Sequence, residues 1–225
     1  MTPTDSGAPM ADLFAFEADR LPPEETLAPG ATLLRGFAVT FEPGIQIALE
    51  ALTRETSFRH MTTPGGFRMS VAMTNCGALG WVADRAGYRY TDRDPESGNP
   101  WPAMPGVFAL LARQAALKAG FREFEPDACL VNRYEPGARL SLHQDRDERD
   151  FSHPIVSVSL GLPATFLFGG ERRKDRPRPV PVSHGDVIVW GGPARLRYHG
   201  VKPLAAGRHP TFGECRINLT LRRAG

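Results

Sequence analysis

The sequence predicts a mainly β fold, a sandwich or barrel flanked by helices, and three observations carry that prediction. From residue 128 onward every periodic segment alternates as strands do. These segments, about seven of them, recur at roughly 8–12-residue spacing with turn residues between them. Gly and Pro punctuate their ends, at Pro136-Gly137, Gly169-Gly170 and Gly191-Gly192-Pro193. Helical spacing of apolar residues is confined to two stretches, both upstream. With 225 residues, 41% of them hydrophobic, the chain can bury a substantial core in one domain. Doubled Greek keys among such strands would make a jelly roll.

Each element follows from its residues. Residues 1–30 hold Pro3, Pro9, Pro22, Pro23 and Pro29 among acidic and small side chains; they read as a poorly ordered or extended lead-in to a single domain over 31–225. A first strand is expected at 31–35. A helix is expected over 41–55, with Ile45, Ala48, Leu49 and Leu52 on one stripe and Thr40 as its cap. Residues 58–105 change character: Gly and Pro recur every few positions, and Phe67, Arg68, Trp81, Arg85, Tyr88, Arg89, Tyr90 and Trp101 interleave. That density of turns predicts a hairpin-rich surface lobe. A second helix is expected over 105–119, with Val107, Leu110 and Leu111 on one stripe and Gly120 closing it. Strands follow at 128–134, 140–143, 155–160, 165–168, 187–190, 196–199 and 215–222, so the core spans about 126–224.

Composition excludes some functions. No apolar run approaches ~18 residues, so no membrane-spanning helix is expected. The net charge of +2 names no partner. All but three of the 27 basic residues are Arg. Arg suits bidentate contacts to phosphate and carboxylate, although a GC-rich genome produces the same bias. Cys76, Cys129 and Cys215 are odd in number, with no C-x-x-C, which points to a reducing compartment. With no basic and apolar leader at the N-terminus, the cytoplasm is the expected location.

Two stretches carry chemistry. In Leu140-Ser-Leu-His-Gln-Asp145, a strand would place His143 and Asp145 on one face. His199 lies far enough downstream to come from another strand. Two imidazoles and one carboxylate on one face of an octahedral metal leave three adjacent positions open, the arrangement of non-haem Fe(II) oxygenases; H-x-D alone is a weak signal. In Arg216-Ile-Asn-Leu-Thr-Leu-Arg222, alternation puts Arg216, Asn218, Thr220 and Arg222 together. Two Arg on one face can clamp a small dicarboxylate, and Asn132 and Tyr134 can add neutral hydrogen bonds. His60, His153, His184 and His209 lack partners at ligand spacing and read as structural. The run 171–178, net charge +3 by count, reads either as a solvated loop or as a grip on phosphates.

Taken together these residues resemble the AlkB-type alkylation-repair dioxygenases. The matching pieces are Thr63-Pro-Gly-Gly66, Met69-Ser-Val-Ala-Met-Thr-Asn-Cys-Gly77, Trp101-Pro-Ala-Met-Pro105, Pro126-Asp-Ala-Cys129, Asn132-Arg-Tyr134, Leu140-Ser-Leu-His-Gln-Asp145, Pro154-Ile-Val-Ser-Val-Ser-Leu-Gly-Leu-Pro163, His184-Gly-Asp186, Val189-Trp-Gly-Gly192 and the Arg216–Arg222 heptapeptide. The resemblance implies a double-stranded β-helix (jelly roll) with flanking helices and an N-terminal nucleotide-recognition lid, here about 58–105. It implies Fe(II) held by His143, Asp145 and His199, with 2-oxoglutarate as cosubstrate and O2 as oxidant. Arg216 would take the distal carboxylate of 2-oxoglutarate and Arg222 the one nearer the metal, assisted by Asn132, Tyr134 and Asn218. Trp81 would stack on an extruded base, Asp147 would face the base edge, and Tyr88 and Arg173 would touch the nucleic-acid backbone. The implied activity is oxidative demethylation of 1-methyladenine and 3-methylcytosine in single- or double-stranded DNA, with RNA left open, by a monomer that binds no membrane. Phe67 departs from the Tyr of close relatives, which bears on lesion preference. A same-fold oxygenase acting on RNA or protein, and a non-catalytic cupin-like metal binder, remain as alternatives.

Overall fold

The computed structural model describes residues 22–225. In chain order the strands are β1 (Glu24–Ala28), β2 (Ala31–Leu34), β3 (Ala72–Gly77), β4 (Gly80–Asp84), β5 (Gly87–Thr91), β6 (Ala128–Tyr134), β7 (Leu140–His143), β8 (Ile155–Gly161), β9 (Ala164–Phe168), β10 (Arg178–Val182), β11 (Val187–Trp190), β12 (His199–Val201) and β13 (Arg216–Arg222). Two helices, α1 (Glu42–Glu55) and α2 (Gly106–Lys118), interrupt them. The strands form a seven-stranded sheet, β1-β2-β11-β8-β13-β6-β3, a four-stranded sheet, β10-β9-β12-β7, and the separate hairpin β4-β5. Every pairing within these sheets is antiparallel. Among the described residues no helix is long and apolar enough to cross a membrane.

The large sheet is buried on both faces, and its alternation sorts side chains into two cores. One face packs on the helices: Val131, Val156, Val158, Val187, Val189, Leu219 and Leu221 meet Ile45, Leu49, Leu52, Phe108 and Leu111. The other face meets the small sheet: Leu33, Leu130, Ile155, Ile188 and Trp190 join Phe166, Phe168, Val180 and Val201. Strand β13 contributes Ile217, Leu219 and Leu221 to the helix side. Its four polar residues therefore point between the sheets, where apolar neighbours exclude water.

Several expectations need correction. The lead-in assigned to 1–30 lies outside the described residues over 1–21, but Glu24–Ala28 is a paired strand, in register with β2. Thr40 is not the cap of α1: residues Val39–Phe41 form a 3-10 turn and Phe41 takes the N-cap position without a side-chain bond. On α2 the buried stripe is Phe108, Leu111, Ala112, Ala115 and Ala116, so Leu110, 43% exposed, faces outward. The small alanines hid the true stripe. Residues 196–198 are not strand, and β12 begins at His199. Strand β10 was missed because Pro179 and Pro181 interrupt it; it sits at a sheet edge, where a proline's missing N–H costs nothing. Strand β3, within the span expected as a lid, is an edge strand of the large sheet, leaving β4-β5 as the protruding hairpin.

Candidate active site

His143 and His199 are cross-strand partners in the β7–β12 pairing. Asp145 lies just beyond the end of β7 rather than on it, which corrects the simple alternation argument. Coil can turn a carboxylate anywhere, so something else must aim it. Arg222 does: its Nε and Nη2 donate to Asp145 Oδ2 at 3.0 and 2.5 Å. Arg195 adds a bond from Nη1 to the Asp145 backbone carbonyl at 2.7 Å. One ligand atom from each of His143, Asp145 and His199 falls within 4.8 Å of the others. The Nε2 atoms of His143 and His199 lie 3.5 and 3.7 Å from the two carboxylate oxygens of Asp145.

The ring nitrogens settle which tautomer is present. His143 Nδ1 is 2.8 Å from the Ser141 carbonyl and His199 Nδ1 is 3.1 Å from that of Arg197. A carbonyl only accepts, so each Nδ1 carries the hydrogen and each Nε2 turns a lone pair toward the cluster. Burial, reinforced by neighbouring His143, lowers the pKa of His199 to about 4. Burial alone would raise the Asp145 carboxyl, but Arg222, His199 and His143 together hold it well below the usual carboxylate range. Two imidazoles that present Nε2 and one ionised carboxylate are the donor set that Fe(II) takes in a facial triad.

Next to this cluster, β13 builds a polar lining with its neighbours. Asn218 sits opposite Asn132 on β6 and Ser159 on β8, and Arg216 sits opposite Tyr134. Asn218 Nδ2 donates to Ser157 Oγ at 2.8 Å and to the Val158 carbonyl at 2.9 Å. Thr220 Oγ1 donates to Asn218 Oδ1 at 2.9 Å. Arg216 is 2% exposed and lies over the Tyr134 ring at 5.0 Å. Nη2 of Arg216 reaches Ser159 Oγ at 2.9 Å, yet Nε and Nη1 are buried without a partner. Unpaired buried donors cost about 1–3 kcal/mol each, more on a charged group. A guanidinium with open N–H groups among Asn, Ser and Tyr is a seat for a carboxylate, and 2-oxoglutarate fits it.

Arg222 is less free than the sequence implied. Besides Asp145 it contacts Glu148 Oε1 at 3.2 Å, and Glu148 Oε2 lies 3.0 Å from Arg195 Nη2. Asp145, Glu148, Arg195 and Arg222 thus form a closed set of two negative and two positive charges. Burial alone would lower the Arg222 pKa, but Asp145, Tyr90 and Glu148 raise it. Glu148, Arg195, Tyr90 and the serines of β8 were given no site role by the sequence, although Tyr90 stood among the aromatics of 58–105 and the serines within Pro154–Pro163. Ser157 and Ser159 left a trace, two hydroxyls at period two in an apolar strand; Glu148 and Arg195 read as ordinary charges, because their partners lie far away in sequence.

The other expected residues divide. Trp81 and Tyr88 stack on the hairpin with centroids 5.6 Å apart and planes 12° apart. Trp81 Nε1 donates to Asp147 Oδ2 at 2.8 Å, which brings hairpin and metal segment together. Arg173 lies on an exposed loop. Phe67, 75% exposed, stands on the turn closed by Thr63. Among the lone histidines, His184 Nδ1 accepts the Gly161 N–H at 3.1 Å and its Nε2 is 3.2 Å from Glu42, a structural tie. Gly161 itself has φ +83° and a Cβ there would meet the Cys215 carbonyl at 2.4 Å, so only glycine lets β8 turn beside Arg216.

Comparison with known proteins gives the same picture. The model of the 2OG-Fe(II) oxygenase superfamily matches residues 30–222. The chain is 57% identical over 215 residues to the alpha-ketoglutarate-dependent dioxygenase AlkB of Salmonella typhimurium, covering 96% of this chain and 98% of that protein. It is 36% identical over 138 residues to the nucleic acid dioxygenase ALKBH1 of Mus musculus, covering 61% of this chain and 34% of that one. Among solved structures, that of OsALKBH1 superposes with a TM-score of 0.77 at 29% identity, covering 89% of this chain and 100% of the other.

Proposed function

Since the chain belongs to the AlkB family of Fe(II)- and 2-oxoglutarate-dependent dioxygenases, we propose that it demethylates N-alkylated bases, 1-methyladenine and 3-methylcytosine, in DNA. The carrying observation is the Trp81–Asp147 hydrogen bond. It sets a flat aromatic face and a carboxylate side by side at the metal cluster, the pair that a stacked, cationic base requires. Bound Fe(II), 2-oxoglutarate and O2 supply the oxidising power: one oxygen atom enters the N-methyl carbon, the other ends in succinate, and CO2 is released. The hydroxymethylated base then loses formaldehyde: the C–N bond breaks toward the ring nitrogen, the hydroxyl proton is released to solvent, and the cationic base becomes neutral.

The protein's own residues orient and exclude. His143, Asp145 and His199 hold the metal. Arg216, helped by Asn132, Tyr134 and Asn218, takes the distal carboxylate of 2-oxoglutarate, and Arg222 turns its remaining N–H groups to the nearer one while steadying Asp145. The apolar surround of Leu130, Phe166, Trp190 and Val201 keeps water out. Trp81 stacks on the flipped base, Asp147 meets its edge, and Tyr88 and Arg173 touch phosphates. In this reading the two sheets are the walls of a double-stranded β-helix, residues 31–225 are one domain and the β4-β5 hairpin is the lid. The enzyme works as a monomer in the cytoplasm, and single strands, which need no unpairing, are its easier substrates. Family membership removes the non-catalytic cupin-like alternative; the protein-hydroxylase alternative is disfavoured by the stack of half-buried Trp81 on exposed Tyr88. The test is formaldehyde release from methylated oligonucleotides, DNA and RNA side by side. Succinate without formaldehyde on either would overturn the substrate.

A further inference from the structure

The hairpin reaches the metal segment through two hydrogen bonds whose donors are cross-strand partners, since Trp81 faces Tyr90 in the β4–β5 register. Trp81 Nε1 donates to Asp147 Oδ2 and Tyr90 Oη to Glu148 Oε1, both at 2.8 Å. Two consecutive carboxylates therefore clasp both strands of the hairpin. The two contacts differ in kind. Asp147 is exposed, so water or a base edge can replace its bond. The Glu148 side chain is 1% exposed. Burial, opposed by Arg222 but reinforced by Glu148 and Asp145, raises the Tyr90 phenol well above its ordinary range, so it stays a neutral donor to Glu148.

From Glu148 the contacts run on to the metal ligand. The same Oε1 that accepts from Tyr90 lies 3.2 Å from Arg222 Nε, and Arg222 holds Asp145 Oδ2. The other carboxylate oxygen lies 3.0 Å from Arg195, which holds the Asp145 backbone. Tyr90, Glu148, Arg222 and Asp145 form one unbroken series from hairpin to metal cluster, with no solvent-exposed member to slacken it.

We propose that Glu148 is a positioning residue that ties the placement of the β4-β5 hairpin to the orientation of the Asp145 ligand, so that oxidation of 2-oxoglutarate is coupled to a substrate seated under the hairpin. The Trp81–Asp147 bond is the exchangeable latch and the Tyr90–Glu148 bond the fixed pivot. The identity of the substrate rests on the base-demethylation reading above; the relay does not.

Tyr90→Phe removes one hydroxyl and keeps the ring, so it tests the relay with little risk to folding. Three results are expected. Hydrogen exchange across Gly80–Thr91 quickens about tenfold or more, the weight of one hydrogen bond to a charged group. The charge-transfer absorption of the anaerobic Fe(II)–2-oxoglutarate complex shifts with no nucleic acid present. With a methylated oligonucleotide, succinate formed per formaldehyde rises about fivefold or more, a coupling loss of typical size. Arg89→Gln breaks only the Arg89–Asp84 pair within the hairpin; it should quicken exchange at the tip and leave the absorption in place. The proposal is overturned if the Tyr90→Phe absorption sits at the wild-type position, or if Arg89→Gln shifts it equally. Should wild type make succinate but no formaldehyde from any methylated oligonucleotide, the substrate reading fails, while absorption and exchange still decide the relay.

Discussion

Strand β13 and the β4-β5 hairpin serve the same centre under opposite constraints. Strand β13 is paired on both sides, to β6 and β8, and all seven of its residues are buried. The hairpin is a two-stranded sheet with Tyr88 48% exposed, joined to the metal segment by the Trp81 and Tyr90 hydrogen bonds. The difference teaches where each kind of precision comes from. Ligands and cosubstrate need fixed geometry, so their residues stand on doubly laddered backbone or are aimed by residues that do, except His143, which stands on the edge strand β7 and is held by the Ser141 carbonyl. On the proposed function a base must enter and leave, so its platform is held by side-chain bonds, of which the exposed Trp81–Asp147 bond opens at small cost.

Changes on the rigid side should be the most severe. Asp145→Ala should lower turnover by about three orders of magnitude or more, because one of three protein bonds to the metal is lost. It also removes one of the two buried carboxylates that face Arg222, leaving Glu148, so the stability loss should stay below the cost of an uncompensated buried charge, about 3–5 kcal/mol. Turnover and metal affinity measured together check this; full activity would place the metal elsewhere.

Acid should weaken the same side. His199 is held to about pKa 4 in the fold against 6.5 in the unfolded chain. Between those values the unfolded chain takes up a proton that the folded one refuses, so the stability of the metal-free protein should fall as pH drops from 6.5 toward 4. The loss approaches about 3 kcal/mol. Asp145, whose pKa is depressed, adds a loss below its unfolded value. Denaturant titrations across that window test it, and a flat profile would mean His199 is not buried neutral.

Arg216→Ala should raise the 2-oxoglutarate requirement about 10- to 100-fold, the weight of a hydrogen-bonded carboxylate at about 1.5–3 kcal/mol. The oligonucleotide requirement should hardly move. If both rise together, β13 and the hairpin are not separable.

On the hinged side, Trp81→Ala should cost about 1–3 kcal/mol of base stacking in kcat/KM for an oligonucleotide, while decarboxylation of 2-oxoglutarate alone survives. Equal loss of both would sink the contrast between the regions. The smallest effect belongs to Asp147→Ala. Its carboxylate favours a cationic lesion over a neutral one by Coulomb attraction at a partly exposed site, so the ratio of the two kcat/KM values should fall a few-fold. An unchanged ratio would remove Asp147 from base recognition.

How much of the site was legible depends on how far each residue's partner lies along the chain. Arg216, Asn218, Thr220 and Arg222 could be grouped because a strand's period is two whatever surrounds it. His143 and Asp145 were paired for the same reason, yet Asp145 is off the strand and is aimed by Arg222, 77 positions away. The stripe on α2 was misjudged because Ala112, Ala115 and Ala116 are buried without being bulky. Nothing local in Arg146-Asp-Glu-Arg149 separates Glu148, which is buried, from Asp147, which is not.

By itself the sequence determined the strand-rich core, the two helices, the alternating polar face of β13 and, through its motifs, the ligand set. All of these depend on backbone periodicity or on side-chain chemistry, which neighbours in sequence reveal. Only the tertiary structure decided which face of β13 is interior, that His199 opens a strand rather than closing one, and that Glu148 joins Tyr90 to Arg222 and Arg195. Those facts depend on which distant groups share a volume without water, where an unpaired charge is too costly to leave alone.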